Sequence, residues 1–231
     1  MNRLFGNRSE PDDETPLIAT ADEEIRPQIV QIFALVGEAM AGATHALLSG
    51  DRELAKNVVE KDKAIDTLVN SIVNAVELQL IENESLNIAD RRRLLILLRI
   101  LPEVERSGDL AEHIARRAAR GLGVEMSPRS RGLVERMGEV ASTIWREATD
   151  VIVDGKLEAA GAIEDIDDEL DDLHVTLTAE LVAGTMPLPV AIELAMVARF
   201  YERFGDHAVN LARRMSTLVI GGPEPVSSGP D

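Results

Sequence analysis

Residues 105–117, ERSGDLAEHIARR, and residues 202–214, ERFGDHAVNLARR, are identical at eight of thirteen positions. Agreement on this scale between two parts of one chain indicates an internal duplication. Both copies carry the motif Glu-Arg-x-Gly-Asp, and both are rich in residues that favour helix. The chain is therefore expected to contain the same helical unit twice.

Around the two motifs, apolar residues recur every three or four positions, which is the spacing of one helix face. The pattern is interrupted by turn-forming residues at 49–51, 83–87, 121–123, 154–155 and 184. Ser127 and Pro128 together predict a helix start, because Ser is a common N-cap and Pro is favoured at the first helical position. Pro102 lies inside the third helical pattern, where a kink is expected.

Six helices divided in this way predict an all-α fold made of a tandem pair of three-helix bundles. The first repeat is expected at residues 22–122 and the second at residues 127–219. Residues 1–21 are polar and contain two prolines, and residues 220–231 are rich in Gly, Pro and Ser. Both segments are predicted to be flexible tails.

The composition restricts the possible functions. The 231 residues include no Cys, so disulfides and thiolate-bound metals are excluded, and any metal must use oxygen or imidazole ligands. The net charge of −17 disfavours nucleic acid and anionic membranes, and it favours cations or basic proteins as partners. No signal peptide or membrane-spanning run is apparent, so a soluble cytoplasmic protein is expected.

The second helix of each repeat carries two aspartates one helical turn apart, Asp62 with Asp66 and Asp167 with Asp171. Spacing alone is weak evidence, because 41 acidic residues would give roughly seven such pairs by chance. The positions carry more weight. Asp62, Asp167, Glu105 and Glu202 all interrupt the apolar face of their helices, where an unpaired carboxylate is costly.

Carboxylates from two neighbouring helices would form an oxygen-rich site suited to Mg²⁺, Mn²⁺ or iron, and poorly suited to zinc. Gly108 and Gly205 lie mid-helix and are expected to allow close helix packing. His113 is interpreted as a packing or hydrogen-bonding residue, since its counterpart in the second repeat is Asn210. His45 and His207 are expected to be ordinary surface residues.

The doubled Glu-Arg-x-Gly-Asp motif, together with Asp-x-x-x-Asp at 62–66 and 167–171, resembles the PhoU family. The resemblance covers most of residues 23–217 and implies two three-helix bundles with metal clusters on their surfaces. By residue, it implies one metal site at Asp62, Asp66, Glu105 and Asp109, and another at Asp167, Asp171, Glu202 and Asp206. Leu110 stands where the family often has His.

The same resemblance implies a function without enzymatic activity. Family members are cytoplasmic negative regulators of phosphate uptake and of the phosphate-starvation response. They link a phosphate importer of the ABC class to a sensor histidine kinase, and they reach the membrane only through these partners. A homodimer is implied as well.

Two other interpretations stay open from the residues. A carboxylate-bridged metal enzyme or iron-storage bundle also places acids among four helices, but it needs Glu-x-x-His on two of them. The nearest match is Asp171-x-x-His174, and its counterpart in the first repeat is Val69. Alternatively, the acidic residues only solvate a helical scaffold, in which case their replacement would leave the metal content unchanged.

Overall fold

The computed structural model describes residues 16–156, 159–184 and 186–220. Six helices account for most of them: α1 (Arg26–Ser49), α2 (Arg52–Glu82), α3 (Ile88–Ala119), α4 (Pro128–Thr149), α5 (Ala159–Ala183) and α6 (Leu188–Ile220). Helices α1–α3 pack on one another, and so do α4–α6. The predicted all-α fold of two three-helix units is thus confirmed. Of the predicted tails at 1–21 and 220–231, residues 1–15 and 221–231 lie outside the described residues.

Several predicted helix ends coincide with the observed ones. Gly50 follows α1 in the left-handed conformation at φ 72°, and the Asp51 side chain then accepts hydrogen bonds from the first amides of α2. Ser127 caps α4 by accepting from the Ser130 amide, directly ahead of Pro128. Local sequence therefore determines these turns, because each depends on one residue with a specific backbone or capping preference.

Helix α3 continues through Pro102, which lies on its exposed side, and the kink expected there stays a prediction. One local feature differs from the expectation. Residues 17–20 form a short 3₁₀ helix, and Leu17 and Ala21 are buried against the first bundle. Gln79 of α2 donates to the Thr20 carbonyl at 2.9 Å. The packed part of the chain therefore begins before the predicted boundary at residue 22.

The two bundles share a continuous core along a seam in which α1 packs on α4 and α3 packs on α6. The Trp145 indole of α4 donates to the Phe33 carbonyl of α1 at 2.9 Å, and its ring stacks on that of Phe33 and lies tilted against that of Phe204. The hydroxyl of Tyr201, on α6, lies 2.7 Å from that of Thr44, on α1. These buried contacts fix one bundle against the other and so set the positions of α3 and α6.

By length and composition alone, α1 and α2 could each cross a membrane, although no such segment was expected from the sequence. The expectation required an unbroken apolar run, whereas average hydropathy tolerates isolated polar residues. In the most apolar stretch of α1, 44% of the residues are buried inside the protein. Helix α1 contacts α2, α3 and α4. In the corresponding stretch of α2, 28% of the residues are buried.

Candidate metal centre

The first acidic cluster lies where α2 and α3 run side by side. Asp62 and Asp66 project from successive turns of α2, and Asp109 approaches them from α3. One carboxylate oxygen from each of the three lies within 4.8 Å of the others. Glu105 is one turn before Asp109 and interacts electrostatically with Asp66 and Asp109. All four predicted residues of the first site are thus brought together.

These carboxylates occupy the rim of the bundle and not its interior. Asp62, Asp66 and Glu105 are half-buried, and Asp109 is exposed. The sequence placed Glu105 and Asp62 on the inward faces of their helices, and the structure shows them at the boundary between that face and solvent. A cation bound there would be reachable from solvent while part of its surroundings is already dry.

Partial burial and crowding shift the titration of this first cluster. Desolvation raises the pKa of Asp62 to about 6, and the neighbouring charges of Asp66, Glu112 and Asp109 add to the effect. Desolvation and Asp66 also raise the pKa of Glu105 and of Asp109. Like charges held this close raise one another's pKa unless a cation neutralises them. The cluster is therefore electrostatically prepared for a positive ligand.

One acidic residue of this region was not anticipated. Glu112 is buried beneath the cluster, forms an ion pair with Arg116, and lies 3.1 Å from His113 Nδ1. Its charge contributes to the raised pKa of Asp62. The repeat comparison hid it, because the second repeat has Val209 at the equivalent position. The only signal available was its place three residues after Asp109 on the same helix face.

The second cluster forms between α5 and α6 from Asp167, Asp171, Glu202 and Asp206. Desolvation raises the pKa of Asp167 to about 7, helped by Asp171, Asp206 and Glu202. The pKa values of Asp171 and Glu202 are raised in the same way. Each predicted residue of the second site therefore lies within electrostatic reach of the others.

Two oxygens of the second cluster are buried without a donor. Asp167 Oδ1 and Glu202 Oε2 have no hydrogen-bond partner among the described residues. A buried carboxylate oxygen left in this state costs free energy. A bound cation would remove that cost, since it supplies the positive charge that both oxygens lack.

The glycine of each motif lets the two helices approach closely enough for the cluster to form. A Cβ on Gly205 would lie 2.4 Å from Asp167 Oδ1 and 2.8 Å from Leu170 Cδ2. A Cβ on Gly108 would lie 3.1 Å from Ile65 Cδ1 and 3.5 Å from Asp62 Oδ1. The expected close packing is thus observed. In both repeats, the glycine faces the first aspartate of the Asp-x-x-x-Asp motif, Asp62 in the first and Asp167 in the second.

The clusters differ in their basic neighbours. In the second repeat, Arg199 forms an ion pair with Glu202, three residues later on α6. The equivalent position before Glu105 is Pro102, which carries no charge. Among the described residues, only the first cluster brings three ligand atoms within 4.8 Å of one another. Arg199 occupies one oxygen of Glu202, which distinguishes the second cluster from the first.

His207 is not the surface residue that the sequence suggested. It is 8% exposed, its Nδ1 lies 3.2 Å from the Ser107 hydroxyl, and its Nε2 lies 3.7 Å from Glu103. Burial lowers its pKa. The imidazole thus joins α3 to α6 directly after the second motif. Only the packing of the two bundles reveals this contact, because Ser107 and His207 are a hundred residues apart in sequence.

The donor chemistry of both clusters fits a hard cation. All eight predicted residues offer carboxylate oxygens, which suit Mg²⁺, Mn²⁺ or iron. The orphaned oxygens of Asp167 and Glu202 and the mutual crowding around Asp62 favour a cation at each place. When bound, a metal would neutralise the crowded carboxylates and offer open coordination positions at the bundle surface.

The sequence of this chain matches one protein family over both repeats. The model of the PhoU domain matches residues 29–118 and again residues 134–215. Phosphate-specific transport system accessory protein PhoU homolog 2 of Mycobacterium tuberculosis is 31% identical over 201 residues, covering 86% of this chain and 94% of that protein. The PhoU homolog of Rhizobium meliloti is 29% identical over 216 residues, covering 89% of each chain.

Two solved structures share the fold. PhoU from Pseudomonas aeruginosa superposes with a TM-score of 0.79 at 28% identity, covering 87% of this chain and 97% of that one. The phosphate transport system regulatory protein PhoU from Streptococcus pneumoniae has a TM-score of 0.76 at 20% identity over 88% and 97%, and at that identity it supports the fold alone. Because both repeats match the domain model and the relatives match nearly end to end, the chain belongs to the PhoU family.

Proposed function

We propose that this chain is a cytoplasmic accessory protein of phosphate transport that restrains phosphate uptake and the phosphate-starvation response. In this role it couples a phosphate ABC importer to a sensor histidine kinase, and it carries a metal site on each bundle. The observation that supports the proposal best is the family match over both repeats. The matching relatives are named as accessory or regulatory proteins of phosphate transport and not as enzymes.

The partner side of the proposal is testable in cells. Tagged protein is recovered from phosphate-replete cells after cross-linking, and the bound proteins are identified. Recovery of importer subunits and of the sensor kinase is expected. A preparation that contains neither, while the tagged protein itself is folded and abundant, would count against the regulatory role.

The metal side has a separate test. Elemental analysis after dialysis against Mn²⁺ or Fe²⁺ is compared between the wild type and a variant with Asp62→Asn, Asp66→Asn, Glu105→Gln and Asp109→Asn. We expect the variant to lose the metal of the first bundle. A suitable control is Glu135→Gln with Glu139→Gln, an exposed acidic pair one turn apart on α4. If the metal content of the first variant were unchanged, the four acidic residues would serve only to keep the surface of the bundle soluble.

The alternative function, a carboxylate-bridged metal enzyme or iron-storage bundle, has less support from the structure. His174 is half-buried beside Asp171 and Arg199, and burial lowers its pKa. In the first repeat, the equivalent position is Val69, which is buried in the core. A symmetric pair of Glu-x-x-His ligands therefore does not form. Oxygen consumption by the Fe²⁺-loaded protein would be the result that revives this alternative.

A further inference from the structure

A cavity of about 300 Å³ lies two or more helical turns from the acidic clusters, and none of the eight cluster residues lines it. It is bounded by the start of α2, the turn after α3 and the start of α6. Three arginines line it, Arg52, Arg117 and Arg120. In a chain of net charge −17, three guanidinium groups around one cavity form an unusual concentration of positive charge.

The turn after α3 is shaped to accept one of these arginines. Gly121 adopts the left-handed conformation at φ 94°, and a Cβ on it would lie 2.4 Å from Arg52 Nη2 and 3.1 Å from Arg52 Cζ. The Arg52 guanidinium therefore packs on the bare backbone of Gly121. The short 3₁₀ helix that follows, Leu122–Glu125, is held in place by Arg131, whose Nη2 donates to the Gly123 carbonyl at 2.6 Å.

Arg117 is fixed in the wall of the cavity. Its Nε lies 2.7 Å from Glu193 Oε2, and its guanidinium carbon lies 4.7 Å from the centre of the Phe200 ring. Its Nη1 also donates to the His113 carbonyl at 2.9 Å. Arg117 and Glu193 therefore neutralise each other, which leaves Arg117 little net charge to offer a ligand.

The remaining charges are unbalanced. Within the described part of the chain, neither Arg52 nor Arg120 forms an ion pair, and the cavity has one further acid, Glu125. One uncompensated positive charge is therefore left at the opening. The rest of the lining includes four apolar residues, Leu122, Val124, Pro189 and Val190.

We propose that this cavity binds a small organic phosphate, with the phosphate between Arg52 and Arg120 and the organic part against the apolar walls. Guanidinium groups bind phosphate oxygens in pairs of parallel hydrogen bonds, and the guanidinium of Arg52 is already packed on Gly121. The volume is at the lower end of the range of roughly 300–1,000 Å³ that small-molecule sites occupy, so the ligand is no larger than a mononucleotide.

Such a ligand would contact both repeats at once. Arg52 and Arg120 belong to the first bundle, whereas Pro189 and Val190 begin the last helix of the second. The site is separate from the acidic clusters, so it does not depend on the proposed metal binding. Binding is expected to stabilise the docking of the two bundles and to raise the thermal unfolding midpoint.

Calorimetric titration of the full-length protein with AMP tests the proposal, with inorganic phosphate as a second titrant. EDTA is present throughout, so that phosphate cannot bridge to a metal at the acidic clusters. We expect AMP to bind more tightly than inorganic phosphate, and Arg52→Gln and Arg120→Gln each to weaken AMP binding by about tenfold or more. Arg92→Gln, which removes an exposed arginine on α3 far from the cavity lining, is expected to change the affinity less than about twofold.

Three outcomes would overturn the proposal. The first is the absence of AMP binding at millimolar concentration. The second is equal weakening by Arg52→Gln and Arg92→Gln, which would show attraction by overall charge only. The third is equal affinity for AMP and inorganic phosphate, which would remove the role of the apolar walls. Circular dichroism spectra of the three variants establish that each one is folded.

Discussion

At the scale of single residues, the motif glycines and the aspartates they face form one unit. Gly205 leaves space that the Asp167 carboxylate and Leu170 fill, and Gly108 leaves a wider space beside Ile65 and Asp62. The sequence identified these glycines through the repeat and predicted close packing. It could not identify which side chain would occupy the space, because that depends on the rotation of one helix against the other.

Substituting the two glycines should therefore have unequal effects. Gly205→Ala forces Asp167 and Leu170 to move, so we expect it to lower the free energy of unfolding by about 1–3 kcal/mol despite the better helix propensity of Ala. Gly108→Ala meets Ile65 Cδ1 at 3.1 Å and no atom closer than that, so it should cost less. Urea denaturation of both variants measures the difference.

Gly132→Ala is the matched control for these substitutions. Gly132 lies on α4, and a methyl group added to it would meet no atom within 4 Å. Only helix propensity should therefore act there, raising the stability by up to about 1 kcal/mol. If Gly205→Ala did not lower the free energy of unfolding relative to Gly132→Ala, α5 and α6 could not approach each other at Asp167 as closely as described.

The raised pKa of Asp167 predicts a direction for the pH dependence of stability. Its pKa rises from 3.8 to about 7 on folding, so between these values the native state holds a proton that the unfolded state has released. Stability from this group is therefore complete below about pH 4 and is lost as the pH rises through about 7. Without metal, Asp167→Asn should stabilise the protein at pH 8 more than at pH 5.

Urea midpoints in EDTA at the two pH values test this prediction, with Asp172→Asn as the control for an exposed aspartate on the same helix. Adding Mn²⁺ to the wild type at pH 8 should restore the lost stability, because the cation replaces the proton. A wild-type protein that becomes more stable from pH 5 to pH 8 in EDTA, relative to Asp167→Asn, would contradict the assignment.

At the scale of helices, the sequence predicted the ends better than the contacts. Gly50 and Ser127 determine their turns through their own conformational and capping preferences, so the boundaries there followed from local sequence. Helix α3 continues through Pro102, and the kink expected from the sequence there stays a prediction. The hydrogen bond between Ser107 and His207 was not predictable, since neither residue has a local reason to be buried.

The seam between the bundles offers a test of one such contact. Thr44 Oγ1 donates to the Met40 carbonyl at 2.9 Å, so the Tyr201 hydroxyl, 2.7 Å away, is the donor to Thr44. Thr44→Val leaves a fully buried phenol without an acceptor, which costs about 1–3 kcal/mol. Tyr201→Phe leaves Thr44 still bonded to Met40 and should cost about 1 kcal/mol.

A double-mutant cycle isolates the pair. The variant with both Thr44→Val and Tyr201→Phe should be more stable than the sum of the two single losses predicts, because the phenol that Thr44→Val leaves unsatisfied is no longer present. Chemical denaturation of the four proteins gives the coupling energy. Additive losses would mean that the two hydroxyls do not bond in solution.

At the scale of the whole molecule, the two repeats are joined by a core that contains the only tryptophan of the chain. The duplicated motif predicted two bundles, and the paired aspartates predicted where each site forms. Nothing in the repeat predicted the seam, because Trp145, Phe33 and Tyr201 have no matching partner in the other half. The seam makes the two sites parts of one folding unit, even though each site belongs to a single bundle.

This arrangement predicts a single unfolding transition that responds to metal at either cluster. Trp145 fluorescence reports the seam and circular dichroism reports all six helices, so the two midpoints should coincide in urea. Saturating Mn²⁺ should raise both midpoints together. At a Mn²⁺ concentration one hundred times the dissociation constant, one site adds about 2.7 kcal/mol to the free energy of unfolding.

The variant lacking Asp62, Asp66, Glu105 and Asp109 separates the two clusters in the same measurement. The second cluster alone should still raise both midpoints, by a smaller amount. If the bundles were instead independent, fluorescence would change before helix content, and metal would shift only the transition of the bundle that holds it. Coincident midpoints that shift together would show that metal bound to one bundle also stabilises the other, through the contacts of α1 with α4 and of α3 with α6.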